Sequence, residues 1–399
     1  MLGREAGLGG YLRDFTRRIR GGELGSLPVV IGLIIIAVVF EAETGHFMTP
    51  RTLSNISVYI AGPGIMAVGI VLVLLLGEID LSVGSMAGLS AALWAVLSVS
   101  HGVNDLLAIL LAICAGACVG LVHGFFFARV GVPAFVVTLA GFLGWSGAQI
   151  WVMGEEGTIN IPSDSLVRDF SNFYFTDISA AYSLAAVLSI GYLLALVRQE
   201  RRRRAAGLPT RTRGEIVVRV ALVAVAAFVA AYTLNQHRGL PLALVIFLGV
   251  LLIVDFVVRR TTYGRQIFAV GGNAEAARRA GINVERVRIT VFALASTLAA
   301  LGGLFQAAEA GGASKSLGSG NLLMNVIAAA VIGGTSLFGG RGWVWSALLG
   351  TLVIQSITTG LNLMNMSSEI QYMITGAVLL IAVVLDSVSR QTQRTAGRT

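Results

Sequence analysis

Apolar runs of about 20 residues, the length that crosses a bilayer, recur along the whole chain. About twelve can be placed, near residues 27–42, 55–76, 82–100, 105–128, 133–153, 179–197, 216–234, 240–258, 289–308, 322–338, 343–361 and 370–387. Only 13% of the residues are charged, against about one quarter in soluble domains. The pattern predicts an all-α integral membrane protein, a polytopic bundle of about 12 transmembrane helices. Little is left for an extramembrane domain, so residues 1–399 read as one transmembrane unit.

The net charge of +8 does not point to nucleic acid, because the positive charge is sorted by side. Numbering the loops alternately from an inside N-terminus leaves Arg51, Arg168, Arg238 and Lys315 outside, and the other 25 of the 29 Lys and Arg inside. The inside group is the N-terminal segment, Arg129, the 198–219 and 259–288 loops, Arg341 and the C-terminal tail. That asymmetry predicts both termini in the cytoplasm. The first run ends in Glu41-Ala42-Glu43 without a small-x-small cleavage pattern, and reads as a retained span.

Enzyme chemistry is not written here. The single lysine, Lys315, lies outside and belongs to no phosphate-binding loop, and no HExxH, GxSxG or helix-opening GxGxxG occurs. Cys114 and Cys118 share one span without clustered histidines, and His46, His101, His123 and His237 are scattered, so no metal site is expected. Asp255 and Asp386 sit near span ends beside arginines, where a carboxylate is easily solvated.

Three polar stretches stand out. The outer loop 154–178 carries Glu155, Glu156, Asp164, Asp169 and Asp177 against Arg168 alone. The 198–219 loop, with its RRRR run, reads as a basic linker resting on anionic lipid. The segment 261–288 has a chemistry of its own. Asn273 can cap a short helix, with Glu275 in its first turn, Arg278 and Arg279 in its last, and Gly281 as the stop. An ordered helix between spans predicts a docking element for a cytoplasmic partner.

In LLLGEIDLSVGSMAGLS, residues 74–90, Glu78 and Asp80 interrupt an apolar stretch. A carboxylate on a lipid-facing helix centre costs roughly 2.5–3.5 kcal/mol, so both must lie at an end, in protein or beside water. Two readings stay open. Asp80 or Ser82 caps the next helix and Glu78 is a solvated loop residue; or the break, with Ser82 and Ser85, lies beside a transport pathway. A shift of 256 residues puts GEIDLSVG on GGTSLFGG, aligning Gly77, Leu81, Gly84, Ser90 and Ala91 with Gly333, Leu337, Gly340, Ser346 and Ala347. Paired glycine-rich breaks mark the pathway in duplicated transporters, so Gly333, Gly334, Thr335 and Ser336 join the candidate pathway residues.

GEIDLSVGSMAGL, VPAFVVTLAG, TTYGRQIFAVGGNAEAARRAGINVERVR and VIGGTSLFGGRG, in this order, together resemble the membrane permease subunit of bacterial ABC sugar importers. The resemblance lies in the ribose/xylose branch, nearest its xylose type, and runs from the first span to Asp386. It implies a second permease copy, two cytoplasmic ATP-binding subunits, which bind the ATP so that this chain needs no cofactor, and an extracytoplasmic sugar-binding protein. It further implies a multi-pass protein of the bacterial cytoplasmic membrane carrying a monosaccharide, a pentose such as xylose, inward. The family's coupling segment maps onto Tyr263 to Arg288, including Gly264, and its acidic-Leu-Ser signature onto Glu78 to Ser85. Where many members carry acidic residues before VIGG, this chain has Leu323 and Asn325. Docking of the binding protein is expected on the outer loop through Glu155, Glu156 and Asp164, helped by the 309–320 turn. The alternative is a stand-alone secondary sugar carrier or facilitator.

Overall fold

In a bilayer each backbone N–H and C=O must find its partner within the protein, and an apolar run meets that demand as a helix. The computed structural model describes residues 27–208 and 210–395, the side chains of 379, 382, 383 and 385–395 excepted. The N-terminal arginines and the side chain of Asp386 lie outside the described residues. The helices are α1 (Leu27–Thr44), α2 (Pro50–Tyr59), α3 (Ala61–Leu75), α4 (Val83–Ser100), α5 (Asp105–Val130), α6 (Ala134–Met153), α7 (Leu166–Asn172), α8 (Ile178–Ala205), α9 (Arg213–Asn235) and α10 (Leu242–Arg260). They continue as α11 (Thr262–Gly272), α12 (Ala274–Arg279), α13 (Val284–Ala310), α14 (Asn321–Ile332), α15 (Ser346–Leu363) and α16 (Ser368–Thr395). Among the described residues nine helices are long and apolar enough to cross a membrane, or ten when α2 and α3 count as one bent crossing.

The centre of the bundle is α3, where every residue but Pro63 is buried. Small residues let backbones approach it. A Cβ on Gly69 would lie 2.9 Å from the Ala295 carbonyl oxygen, and one on Gly302 would lie 2.8 Å from that of Gly62. The same device joins α5 to α13. Gly116, Gly120 and Gly124, one helical turn apart, rest on Ser296, Phe292 and Ile289. Apolar side chains gain little over lipid tails in a membrane, so close packing of this kind supplies the helix–helix attraction.

Four expectations are corrected. The 55–76 run is not one straight span: α2, capped by Thr49 and opened by Pro50, meets α3 at a bend of 42°. The 322–338 run stops at Ile332, because Gly333 presses on the Ser346 backbone and Gly334 turns left-handed at φ +103°. The resulting α14 has 12 residues, about 18 Å of helix against a hydrocarbon core of about 30 Å. The 198–219 loop shrinks to 206–212, since α8 carries the arginine run to Ala205. Buried Glu200 ties the turn, accepting from the Arg211 backbone N–H (2.9 Å) and Nη1 (3.0 Å). Finally, 261–288 holds two helices in place of one, α11 and α12.

The two ends of the bundle differ. One gathers α11, α12, the 76–82 turn and the 333–345 segment, and is called here the arginine-rich end. The other, the acidic end, is covered by α7 and two short antiparallel ribbons. Strand β1 (Thr158–Asn160) pairs with β4 (Gly312–Ser314), and β2 (Tyr174–Phe175) with β3 (Leu240–Pro241).

Candidate functional site

The two glycine-rich breaks meet at the arginine-rich end. Gly77 (φ +82°) and Gly339 (φ +79°) both take left-handed backbone, open to glycine without the penalty a Cβ carries. A Cβ on Gly339 would lie 2.6 Å from the Gly271 carbonyl oxygen and 2.9 Å from Gly77. The Gly340 N–H donates to the Leu75 carbonyl at 2.9 Å, and a Cβ on Gly271 would collide with that same carbonyl. Thus the last carbonyls of α3, the end of α11 and the turn after α14 touch main chain to main chain. Gly271 belongs to the segment expected to dock a partner, so that segment is seated directly on the paired breaks.

Behind this junction the polar groups of the GEIDLS turn are held by one another. Asp80 is fully buried, and its Oδ1 accepts from the Ser82 N–H (2.8 Å) and Oγ–H (2.6 Å), while Oδ2 has no hydrogen-bond partner. Ser85 donates to the Ser82 carbonyl. Ser82 holds the cap position of α4, yet its hydroxyl makes no cap bond; the carboxylate, a charged acceptor, draws it instead. Asp80 therefore closes the turn ahead of the helix and is not itself the cap. His123 of α5 extends the network, its Nδ1 3.3 Å from Ser82 Oγ, its Nε2 accepting from Trp145 Nε1 at 2.9 Å. Indole only donates, so the ring proton sits on Nδ1, facing Ser82. Thr138 of α6 donates to the Ile79 carbonyl at 3.4 Å.

Glu78 is half-buried rather than fully solvated; burial pushes its carboxyl up, opposed by the nearby Arg288 guanidinium. In the other break, Thr335 Oγ1 and Ser346 Oγ share a buried hydrogen bond of 2.6 Å, and Ser336 Oγ accepts from the Phe338 N–H. Asn325 is half-buried, its Oδ1 shielded from solvent and unpartnered, and Leu323 packs on Gly84.

The coupling helix has the caps its residues dictate. Asn273 Oδ1 accepts from the Ala276 N–H at 2.9 Å, Glu275 pairs with Arg278 (3.1 Å) and Arg279 (3.3 Å), and Gly281 follows at φ +83°. All three charged side chains are exposed. In α11 the Thr261 hydroxyl caps the Gly264 N–H, and a Cβ on Gly264 would strike the Val258 carbonyl. Tyr263 donates to Thr290 at 2.8 Å, and burial pushes its phenol up.

At the acidic end Glu155, Glu156 and Asp164 are exposed. The loop carrying them is anchored. Asp105 Oδ2 accepts from Ser165 Oγ (2.9 Å) and the Leu166 N–H (2.6 Å), and the Phe170 ring stacks on Phe305 at 4.8 Å. No group of three or more His, Cys, Asp or Glu placed to hold a metal occurs among the described residues.

Sequence reasoning missed His123, Trp145, Gly271 and Gly339. A histidine inside an apolar run, with no polar neighbour in its own span, must find a partner on another; that signal was present at His123. Gly271 and Gly339 carried none, since their role exists only once three distant segments meet.

A bundle of apolar helices packed on glycine, broken twice at one end and carrying an ordered helix pair on the breaks, is a multi-pass membrane transport protein. The chain belongs to the family described as branched-chain amino acid transport system / permease component, which its residues 52–383 match. It is 37% identical over 366 residues to the xylose transport system permease protein XylH of Escherichia coli (strain K12), covering 91% of this chain and 92% of that one. The Haemophilus influenzae XylH is 35% identical over 370 residues, 92% and 98% of the two chains. The ribose import permease protein RbsC of Escherichia coli (strain K12) is 30% identical over 358 residues, 90% and 92% of the two. No solved structure matches. These relatives are permeases and not enzymes, and they place the chain in the cytoplasmic membrane.

Proposed function

We propose that this chain is the membrane-spanning permease subunit of an ATP-binding-cassette importer that carries a pentose such as xylose inward. The relatives named for xylose transport support the sugar class. The observation that carries the coupling is the seat of α11 on the junction through Gly271 and Leu75. A partner that grips α12 by Asn273, Glu275, Arg278 and Arg279 would move α11, and α11 is in main-chain contact with both breaks. Tyr263, Gly264 and Gly281 fix the two ends of this lever.

In this reading both termini and the arginine-rich end lie in the cytoplasm, the apolar runs make about twelve membrane segments, of which the short α14 crosses only part way, and the two breaks are counterparts in a duplicated unit. Two ATP-binding subunits engage a pair of permeases, and a sugar-binding protein docks outside near Glu155, Glu156 and Asp164. The chain itself binds no ATP or other cofactor. The junction of Glu78, Asp80, Ser82 and Ser85 with Gly333, Gly334, Thr335 and Ser336 forms the inner end of the passage, closed in this conformation.

The test is reconstitution of the permease with its ATP-binding and sugar-binding partners in proteoliposomes, measuring uptake of labelled D-xylose and D-ribose. ATP-dependent uptake that needs the binding protein supports the reading. Uptake by the permease alone, without ATP, would make it a stand-alone carrier.

A further inference from the structure

The acidic end holds a cavity of about 450 Å³, inside the roughly 300–1,000 Å³ range of small-molecule sites. Separate segments build its polar wall: Tyr59 from α2, Arg168 and Asn172 from α7, Tyr174 from β2, Arg238 from the turn before β3, and Glu309 from the end of α13, with Asn55 beside Tyr59. The wall is held from outside the cavity. Asp105 pins the start of α7, the Phe170–Phe305 stack pins its middle, and the β2–β3 pairing fixes the strand beside Arg238. The Arg238 guanidinium lies over the Tyr174 ring, 5.3 Å from its centre.

The chemistry of the lining narrows the ligand. No carboxylate pairs with Arg168 or Arg238 among the described residues, and Glu309 accepts only from Gln306 at 3.2 Å. An anion would meet Glu309, and a cation would meet two guanidiniums. Amides, phenols and a serine hydroxyl fill the rest, groups that both give and take hydrogen bonds. Neighbouring hydroxyls on one ring match a guanidinium or a carboxylate two at a time, much as planar bidentate pairs do. We infer that this cavity binds a neutral polyhydroxylated small molecule, a monosaccharide or similar polyol, on the face where the binding protein delivers it. The inference rests on the transport reading for the sugar class, and the cavity's own chemistry carries the rest.

Site-directed labelling tests it in the full-length permease in lipid nanodiscs. Cys114→Ser and Cys118→Ser remove the native thiols, and Asn172→Cys places one in the cavity wall, with Asn55→Cys as a second position should the first fail to fold. The rate of modification by a membrane-impermeant methanethiosulfonate is followed while D-xylose or xylitol is titrated through the millimolar range. At about twice its dissociation constant a ligand slows labelling about threefold. D-Xylose and xylitol are expected to do so, Glu309→Ala is expected to abolish the protection, and Thr158→Cys, exposed on the ribbon of the same face but outside the cavity, is expected to label at one rate throughout. Equal labelling with and without both polyols overturns the inference, as does protection by L-leucine alone or by the binding protein alone. Uptake assays on the same variants separate the two readings. ATP-driven uptake without protection sinks the cavity site and leaves the permease reading standing; protection without uptake of any pentose does the reverse.

Discussion

At the arginine-rich end Gly77, Gly271 and Gly339 meet main chain to main chain, while at the acidic end Tyr59, Arg168, Arg238 and Glu309 surround open space. The first contact has no side chain that can move aside, so any enlargement must displace a helix. The second is bounded by side chains on several segments, each able to adjust its rotamer around a guest. A backbone contact is suited to being closed or parted, with little between, because packed interiors shift between discrete arrangements and do not stretch. A side-chain cavity is suited to holding a molecule loosely. The difference teaches where this chain should be intolerant and where it should be adjustable.

The hardest test of that contrast is Gly271→Val. It forces carbon atoms into the Leu75 carbonyl, and overpacking of about 1–3 kcal/mol or more should follow. Uptake should be lost, while Gly272→Ala, with open space around it, should transport normally. Equal tolerance of both would mean the junction is loose. Next comes Arg278→Glu with Arg279→Glu. Their exposed pairs with Glu275 are worth about 0–1 kcal/mol, so thermal stability should barely change. Co-purification of the ATP-binding partner should fall by about tenfold if these residues grip it, and undiminished co-purification would remove α12 from the interface.

Asp80 separates geometry from charge within the junction. Asp80→Ala strands the Ser82 N–H and should cost about 1–3 kcal/mol in stability, with transport falling alongside. Asp80→Asn keeps an acceptor and should retain most uptake; a well-folded Asp80→Asn permease without uptake would show that the charge itself is needed. At the acidic end, neutralising Glu155, Glu156 and Asp164 should slow association of the binding protein by about three- to tenfold at low ionic strength, the difference shrinking with salt. Smallest of all, Glu78→Gln should alter uptake by less than about twofold, measured in the same proteoliposomes.

Elements whose cause is local were legible in the sequence. The capped helix Ala274–Arg279 follows from Asn273, Glu275, Arg278, Arg279 and Gly281, all within nine residues, and the structure has each in its assigned place. Apolar length located the helices, but hydropathy does not register a stop. The run at 322–338 therefore concealed the end at Ile332, although Gly333-Gly334 was there to be read as a break. Thr262–Gly272 was missed because its anchors, the Val258 and Leu75 carbonyls, are contributed by other elements. Asp80 or Ser82 was one candidate for the cap of α4, and what takes both from that role, the hold of the Asp80 carboxylate on the Ser82 hydroxyl, acts through side-chain rotamers that spacing does not reveal. The cavity assembles from Asn55, Arg168, Arg238 and Glu309, so no window of sequence contains it.

The bend between α2 and α3 joins these two worlds. Asn55, Val58 and Tyr59 of α2 line the cavity; fifteen residues on from the bend, about 22 Å along the axis, the Leu75 carbonyl receives Gly340 and abuts Gly271. The buried helix α3 thus runs from the bend beside a place a sugar could occupy to the point where nucleotide-driven motion would arrive. Such an arrangement obeys reciprocity: by whatever factor occupancy above favours parting below, parting below must favour occupancy above. Measuring sugar protection of the cavity cysteine with and without bound nucleotide on the partner subunits reads that factor directly, and a ratio of one would mean the rod carries no message.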